Sequence, residues 1–363
     1  MKNRNLYLDL LRIFACLGVI GIHTQEGGLI LNRIALLGLP LFFFISAYLL
    51  LPRCDDEHVW DFYKKRILKI VVPFLCYGLF YGCWIYPNGG IFVRPTLERL
   101  WYAISYIPHS LADNLTASIY FHFWYMYVLM GLYLFFPFLA KGLKALSDKG
   151  LQNLLILLLV MEAIHDFPPA IRVHYEIAMD FGWIIYIIFG YAFTRDYFKA
   201  RYKVFVVLGA IAFAFQLFMI GVFPGFTTLI EHKEDLNPWE VLSVCGVFAL
   251  FMLWQQFAEK RGRFHNGDLL SKVIGFVANY TFSVYLIHGY IISWWSQTGV
   301  LIDLHAFNDK IWWIVTVGSV FVLSFAFALV FDTVVVKNIQ KLISFLYKTI
   351  VNKMGKGIVS YEH

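Results

Sequence analysis

Ten stretches of this chain are apolar for long enough to cross about 30 Å of hydrocarbon, a distance that takes roughly 20 helical residues. They run over 6–24, 33–51, 67–86, 119–140, 151–167, 176–194, 203–223, 239–257, 275–295 and 311–331. Lipid offers no hydrogen-bond partner to a backbone amide, so each stretch has to satisfy its own N–H and C=O groups, and a helix does so internally. The expected fold class is therefore all-α, a polytopic membrane protein. Composition agrees, with 60% hydrophobic and only 15% charged residues. The fifth stretch is interrupted by Glu162 and His165 and the sixth holds Asp180 and Gly182, which makes these two the weakest spans. The first follows only Met1 to Asn5 and shows no small-residue cleavage site before Gln25, so it reads as a retained anchor.

Loop charge sets the orientation. If the amino terminus is cytoplasmic, the segments on that side hold 23 of the 30 Lys and Arg residues, against six outside and Arg12 within the first stretch. That asymmetry alternates at every loop and obeys the positive-inside rule. It predicts ten helices with both termini in the cytoplasm. The net charge of +6 is accounted for by topology, and nucleic acid is not an expected partner. Residues 1–336 form one transmembrane domain in this reading, and 337–363 a cytoplasmic amphipathic tail with Ile339, Leu342, Phe345 and Leu346 opposite lysines. A second surface helix is expected over 97–106, where Trp101, Tyr102 and Tyr106 suit a membrane interface. The cysteines at 16, 54, 76, 83 and 245 have no paired spacing, so neither a disulfide framework nor a metal site is expected.

Against this apolar background a few polar residues stand out. Arg12 and His23 lie eleven positions apart on the first helix. At ~100° and 1.5 Å per residue that spacing brings them to nearly one face, about 16 Å apart along the axis. An ionisable side chain in a span costs roughly 2.5 to 3.5 kcal/mol on insertion scales, which makes Arg12 a functional candidate. Snorkelling, or an ion pair with Asp9 one turn earlier, is the plain structural alternative. Arg66 and Lys69 sit a turn apart where a basic cluster leads into the third stretch; they are either topology determinants or ligands for the phosphates of a cytosolic donor. His122, in Tyr120-Phe-His-Phe-Trp124-Tyr125, falls at the depth of His23, and His288, in Ser283-Val-Tyr285-Leu-Ile-His288, lies in the outer half of the ninth stretch. Each is a buried structural histidine or a base suited to take a proton from a hydroxyl near neutral pH. Trp124 and Tyr125 belong to an aromatic belt or stack a sugar. There is no Walker loop, nucleophile elbow, His-Glu-x-x-His, cysteine-rich transfer motif or acidic pair with glycosyltransferase spacing.

Taken in order, these patterns resemble the acyltransferase-3 family of bacterial membrane O-acyltransferases. Asp9-x-x-Arg12 followed by His23 resembles its arginine–histidine motif. Gly38-Leu-Pro-Leu-Phe-Phe-Phe-Ile-Ser46-Ala-Tyr48 resembles its second-helix signature, with Ala47 where glycine is usual. Arg66-Ile-Leu-Lys69 resembles its cytoplasmic Arg-x-x-Arg, with lysine in the second place. His122-Phe-Trp124-Tyr125 and Ser283-Val-Tyr285-Leu-Ile-His288 resemble its middle and late signatures. The resemblance implies an O-acyltransferase of the bacterial inner membrane that uses acetyl-CoA or another acyl-CoA as donor and no metal. The acceptor would be a hydroxyl of a cell-surface or lipid-linked glycan. Carried onto this chain, the family's roles put His23, with help from His122, at the acyl-transfer step, Arg12 in the donor channel, and Arg66 with Lys69 at the CoA phosphates; Asp9, Ser46, Trp124, Tyr285 and His288 are further candidates. Direct transfer and a covalent acyl-histidine are both open. Membrane lipids, and a second copy of the chain in a homo-oligomer, complete the expected partners. A transporter or flippase for a lipid-linked saccharide is the alternative.

Overall fold

The computed structural model describes residues 5–24, 27–54, 58–84, 97, 101, 105, 121–165, 182–222, 237–262, 268–298 and 309–359. Among these residues there is no strand. The helices are α1 (Leu6–Thr24), α2 (Gly28–Leu36), α3 (Gly38–Leu50), α4 (Val59–Arg66), α5 (Val72–Trp84), α6 (Trp124–Ala145), α7 (Asp148–His165), α8 (Ile184–Ala192), the single turn α9 (Asp196–Lys199), α10 (Tyr202–Val222), α11 (Pro238–Lys260), α12 (Leu269–Ala278), α13 (Thr281–Thr298), α14 (Asp309–Phe331) and α15 (Lys337–Val359). Helix falls within each of the ten apolar stretches. Six uninterrupted helical runs are long and apolar enough to cross a membrane: Leu6–Thr24, Gly28–Arg53, Trp124–Ala145, Tyr202–Val222, Pro238–Lys260 and Asp309–Ile350. A seventh counts if the pair α12 and α13, bent by 57°, is one broken span. Most of the expected surface helix over 97–106, residues 166–167 of the fifth stretch and residues 176–181 of the sixth lie outside the described residues.

The boundaries depart from expectation in instructive places. The second apolar run starts earlier, at Gly28, whose φ of 68° only glycine adopts without strain. The ninth stretch is two helices, because the chain turns at Asn279 and Tyr280 before Thr281 restarts it. The tenth does not end in a loop. It passes through a π-turn, Asp332–Val336, directly into α15. A second π-turn, Ile67–Val71, joins α4 to α5. Such wide turns cost hydrogen-bond geometry and are found mostly at functional sites.

α1 is the central element, in contact with α2, α3, α11, α12, α13 and α14. Without a hydrophobic drive between helices in lipid, tight association depends on small residues that let backbones meet. At the α1–α3 crossing a Cβ on Gly38 would lie 2.5 Å from the Ala15 carbonyl oxygen. Where α8 crosses α3, a Cβ on Gly190 would lie 2.4 Å from the Phe44 carbonyl oxygen. The other side of α3 is aromatic, with Phe44 packed on Phe193 and Phe248. α11 begins at a side-chain cap, Asn237 accepting from the Glu240 amide at 2.8 Å, followed by proline at its first turn.

Gly190→Ala is expected to force α8 off α3 and destabilise the protein by about 1–3 kcal/mol, as overpacking does. Gly131→Ala, on α6 with nothing within 4 Å of its added methyl, should be neutral or slightly stabilising. Thermal unfolding of the two variants in detergent checks the contrast.

Candidate active site

One cavity of about 410 Å³ collects the polar irregularities of the bundle. Arg12 reaches it from α1, Ser46 from α3, Arg66 from the last turn of α4 and Lys69 from the first π-turn. Arg12 keeps its expected partner, with Nη1 3.5 Å from Oδ1 of the buried Asp9. Its side chain is nevertheless 33% exposed, so the guanidinium also faces the cavity. Arg66 lies against the Phe62 ring at 5.6 Å, and its Nε is buried with no hydrogen-bond partner among the described residues. Ser46 accepts a hydrogen bond from the Tyr133 hydroxyl at 3.2 Å. Thr281, Phe282 and Ser283, the amino end of the 18-residue α13, form another wall. The bend between α12 and α13 thus turns the positive end of a helix dipole toward the same space, a feature that favours anions.

Asp332 is the carboxylate of this wall. The Ser283 hydroxyl donates to its Oδ2 at 2.6 Å and the Tyr77 hydroxyl to its Oδ1 at 3.0 Å. Neither Asp332 nor Tyr77 stands out in the sequence, and Ser283 does so only as the first residue of the late signature. Asp332 directly follows the tenth apolar stretch, and its position on a π-turn, with the helix continuing beyond it, brings it to the cavity.

The second assembly is a cluster of three histidines. Ring centroids of His122 and His288 are 4.5 Å apart, those of His23 and His288 5.3 Å, and those of His23 and His122 6.5 Å. They come from the end of α1, from the 3-10 turn Phe121–Phe123 ahead of α6, and from α13. The common depth inferred from topology is therefore a common place. Their hydrogen bonds fix the tautomers. His288 Nδ1 is 2.6 Å from the Tyr285 carbonyl and His122 Nε2 is 3.2 Å from the Leu286 carbonyl. A carbonyl only accepts, so those nitrogens carry the protons and donate. The lone pairs are then on Nε2 of His288 and Nδ1 of His122. Nε2 of the fully buried His288 has no hydrogen-bond partner among the described residues. The Leu286 carbonyl also accepts from the Tyr81 hydroxyl at 3.0 Å, while that hydroxyl accepts from the Tyr290 amide at 3.0 Å.

Tyr285 links the two assemblies. Its side chain lines the cavity, its ring packs 5.1 Å from that of Tyr125, which also lines it, and its hydroxyl donates to the His122 backbone carbonyl. Arg12, Ser46, Arg66, Lys69 and Tyr285 thus share one cavity, and His23, His122 and His288 a cluster behind Tyr285. Asp9 stands behind Arg12. Trp124 lies apart, 37% exposed, with its ring 5.5 Å from that of Trp183. Among the described residues no three His, Cys, Asp or Glu side chains converge as metal ligands.

Beside the cavity, burial pushes the Cys54 thiol up to about 11, against the opposing pull of Lys144 and Arg66. It is a neutral thiol at pH 7.

A helical multi-pass membrane protein with a cationic cavity beside a cluster of imidazoles is the class these features define. A family model described as an acyltransferase domain matches residues 5–332, and the chain belongs to the acyltransferase-3 family, a membrane acyltransferase. No curated protein and no solved structure matches it.

Asp332→Leu is expected to cost about 1–3 kcal/mol, because it strands the hydroxyls of Tyr77 and Ser283. Adding Ser283→Ala to Asp332→Leu should then cost less than the sum of the single changes, as for any shared interaction. Unfolding in a double-mutant cycle reads both. Peptide-resolved alkylation should find Cys54 nearly inert at pH 7 in the folded protein and increasingly reactive as pH rises toward 11.

Proposed function

We propose that this chain moves an acyl group, in the usual case acetyl, from cytosolic acyl-CoA to a hydroxyl of a cell-surface or lipid-linked glycan. The observation that carries this reading is the single cavity shared by Arg12, Arg66 and Lys69, divided by Tyr285 from three clustered histidines. Ten spans with both termini in the cytoplasm of a bacterial inner membrane put the cationic cavity on the side of the donor. The same topology puts the histidines toward the acceptor.

In the chemistry proposed, an imidazole nitrogen bearing a lone pair takes the proton of the acceptor hydroxyl. The oxygen attacks the thioester carbonyl, the carbon–sulfur bond breaks, and the CoA thiolate leaves and is protonated. His23, half-buried at the end of α1 beside the other two rings, is in this reading the group that meets the acceptor. His122 and His288, oriented by backbone carbonyls, support it or take the proton onward. In the two-step version His23 carries the acyl group before the hydroxyl attacks. Cationic groups near the cavity hold the donor by charge-assisted hydrogen bonds to its phosphates. Membership of an acyltransferase family weighs against a flippase for a lipid-linked saccharide.

His23→Ala is expected to abolish acylation of the acceptor glycan, read by mass analysis of surface glycans, while the variant still inserts and unfolds at the wild-type temperature. Undiminished acylation would remove the mechanism. Acetyl-CoA should raise the unfolding temperature of the purified protein, since a ligand that binds only the folded state stabilises it.

A further inference from the structure

The cavity has a wall that lies beyond the residues matched by the family model. α14 runs through the π-turn Asp332–Val336 into α15, and Val336, Lys337 and Gln340 complete the lining. Gln340 Nε2 donates to the Leu68 carbonyl at 2.7 Å, tying the first turn of α15 to the π-turn that carries Lys69. α15 is therefore held across the cavity and does not trail away from it. Lys337, one turn before Gln340, presents its ammonium there. Its hydrogen-bonding partners among the described residues are two hydroxyls, of Tyr280 and Thr333, each at 3.4 Å, and the carboxylate that attracts it is the Asp332 already shared by Ser283 and Tyr77. Both hydroxyl contacts are long for a hydrogen bond, and a hydroxyl does not neutralise an ammonium.

The charge of the lining is then four cations, Arg12, Arg66, Lys69 and Lys337, against the one carboxylate of Asp332, whose two oxygens already accept from Ser283 and Tyr77. Asp9 offsets Arg12 from behind the lining, which leaves an excess of two positive charges, and that excess calls for a ligand with several negative ones. A diphosphate with a separate phosphate monoester, the latter carrying about 1.5 to 2 charges near neutral pH, meets it; a neutral saccharide does not.

We infer that Lys337 is a phosphate ligand of the donor site, so that α15 is a part of that site and acyl-CoA is gripped from two sides, by Arg66 and Lys69 on one and Lys337 on the other. This rests on the reading of the cavity as the CoA site. The test is the affinity of CoA and of dephospho-CoA for the full-length protein in nanodiscs, wild type against three variants. Lys337 is exposed, so K337Q opens no hole in the core. K337Q should weaken CoA roughly five- to tenfold, the scale of one charge-assisted hydrogen bond in a partly hydrated site. K337R should stay within threefold of wild type. K341Q, which removes the same charge from an exposed position one turn on, should leave affinity unchanged. If K337Q weakens dephospho-CoA as much as CoA, the lysine meets the diphosphate; if it weakens CoA alone, it meets the ribose phosphate. Binding of CoA by K337Q within twofold of wild type overturns the inference, and so does an equal loss in K341Q. Failure of the wild type to bind CoA at all is a different result, and it removes the donor reading itself.

Discussion

Two helix backbones touching without side chains between them set the geometry on which this site depends. Gly38 of α3 lies so close to α1 that a Cβ there would stand 2.5 Å from the Ala15 carbonyl oxygen and 2.8 Å from the Val19 amide nitrogen. Ala15 and Val19 flank the middle of the helix that carries Arg12 at one end and His23 at the other. With α3 seated against it, Ser46 reaches the same cavity as Arg12. Dispersion and close packing are the forces available for this in lipid, where burying one more leucine gains little. α1 is thereby wedged among six other helices, and an arginine and a histidine that would be expensive on a lipid-facing helix become interior groups of a bundle.

The irregular backbone follows the same logic. Non-helical turns at membrane depth are tolerated where they line a cavity and their freed groups find partners. The π-turn Ile67–Val71, the break before Thr281 and the π-turn Asp332–Val336 all border the one cavity. Each loosened segment is taken up by a side chain from elsewhere. Gln340 donates to the Leu68 carbonyl, the Cys16 thiol approaches the Thr281 carbonyl at 3.6 Å, and Tyr77 and Ser283 satisfy Asp332. The wide turns and the hydrogen bonds across them are two aspects of one construction, a polar opening kept inside an apolar fold.

Much of this was legible before the structure. Arg12 and His23 stand out because charge in an apolar run is costly, and the three histidines could be set at one depth because alternating spans fix which helix ends are neighbours. Arg66 and Lys69 were found by their spacing, although the helix that was to place them a turn apart is a π-turn. What stayed hidden depends on bends. Nothing in the periodicity around Asn279 marks a 57° turn, and Asp332 directly follows an apolar run with nothing to mark that the helix continues. Lys337 and Gln340 were assigned to a surface tail, since an amphipathic lysine-rich segment looks alike whether it lies on lipid or crosses a cavity mouth. Local pattern records a residue's own element; it does not record which distant backbone carbonyl that element meets.

The balance of charge around the cavity also explains why the site is built where it is. Four cations held near one another repel, and in a sealed interior that repulsion and the loss of hydration would be prohibitive. Here Arg12 is a third exposed and Lys69 and Lys337 are exposed, so water screens them. Arg66 is the half-buried member, with its guanidinium over the Phe62 ring. A polyanion bound there would replace that water with its own oxygens, and the clustered cations would then attract it jointly. The histidines, in contrast, are not in the lining; His122 and His288 are buried against the Tyr285 ring and His23 is half-buried beside them. The cationic cavity and the histidine cluster thus meet at Tyr285 inside one bundle, and the same α1 that brings Arg12 to the first supplies His23 to the second.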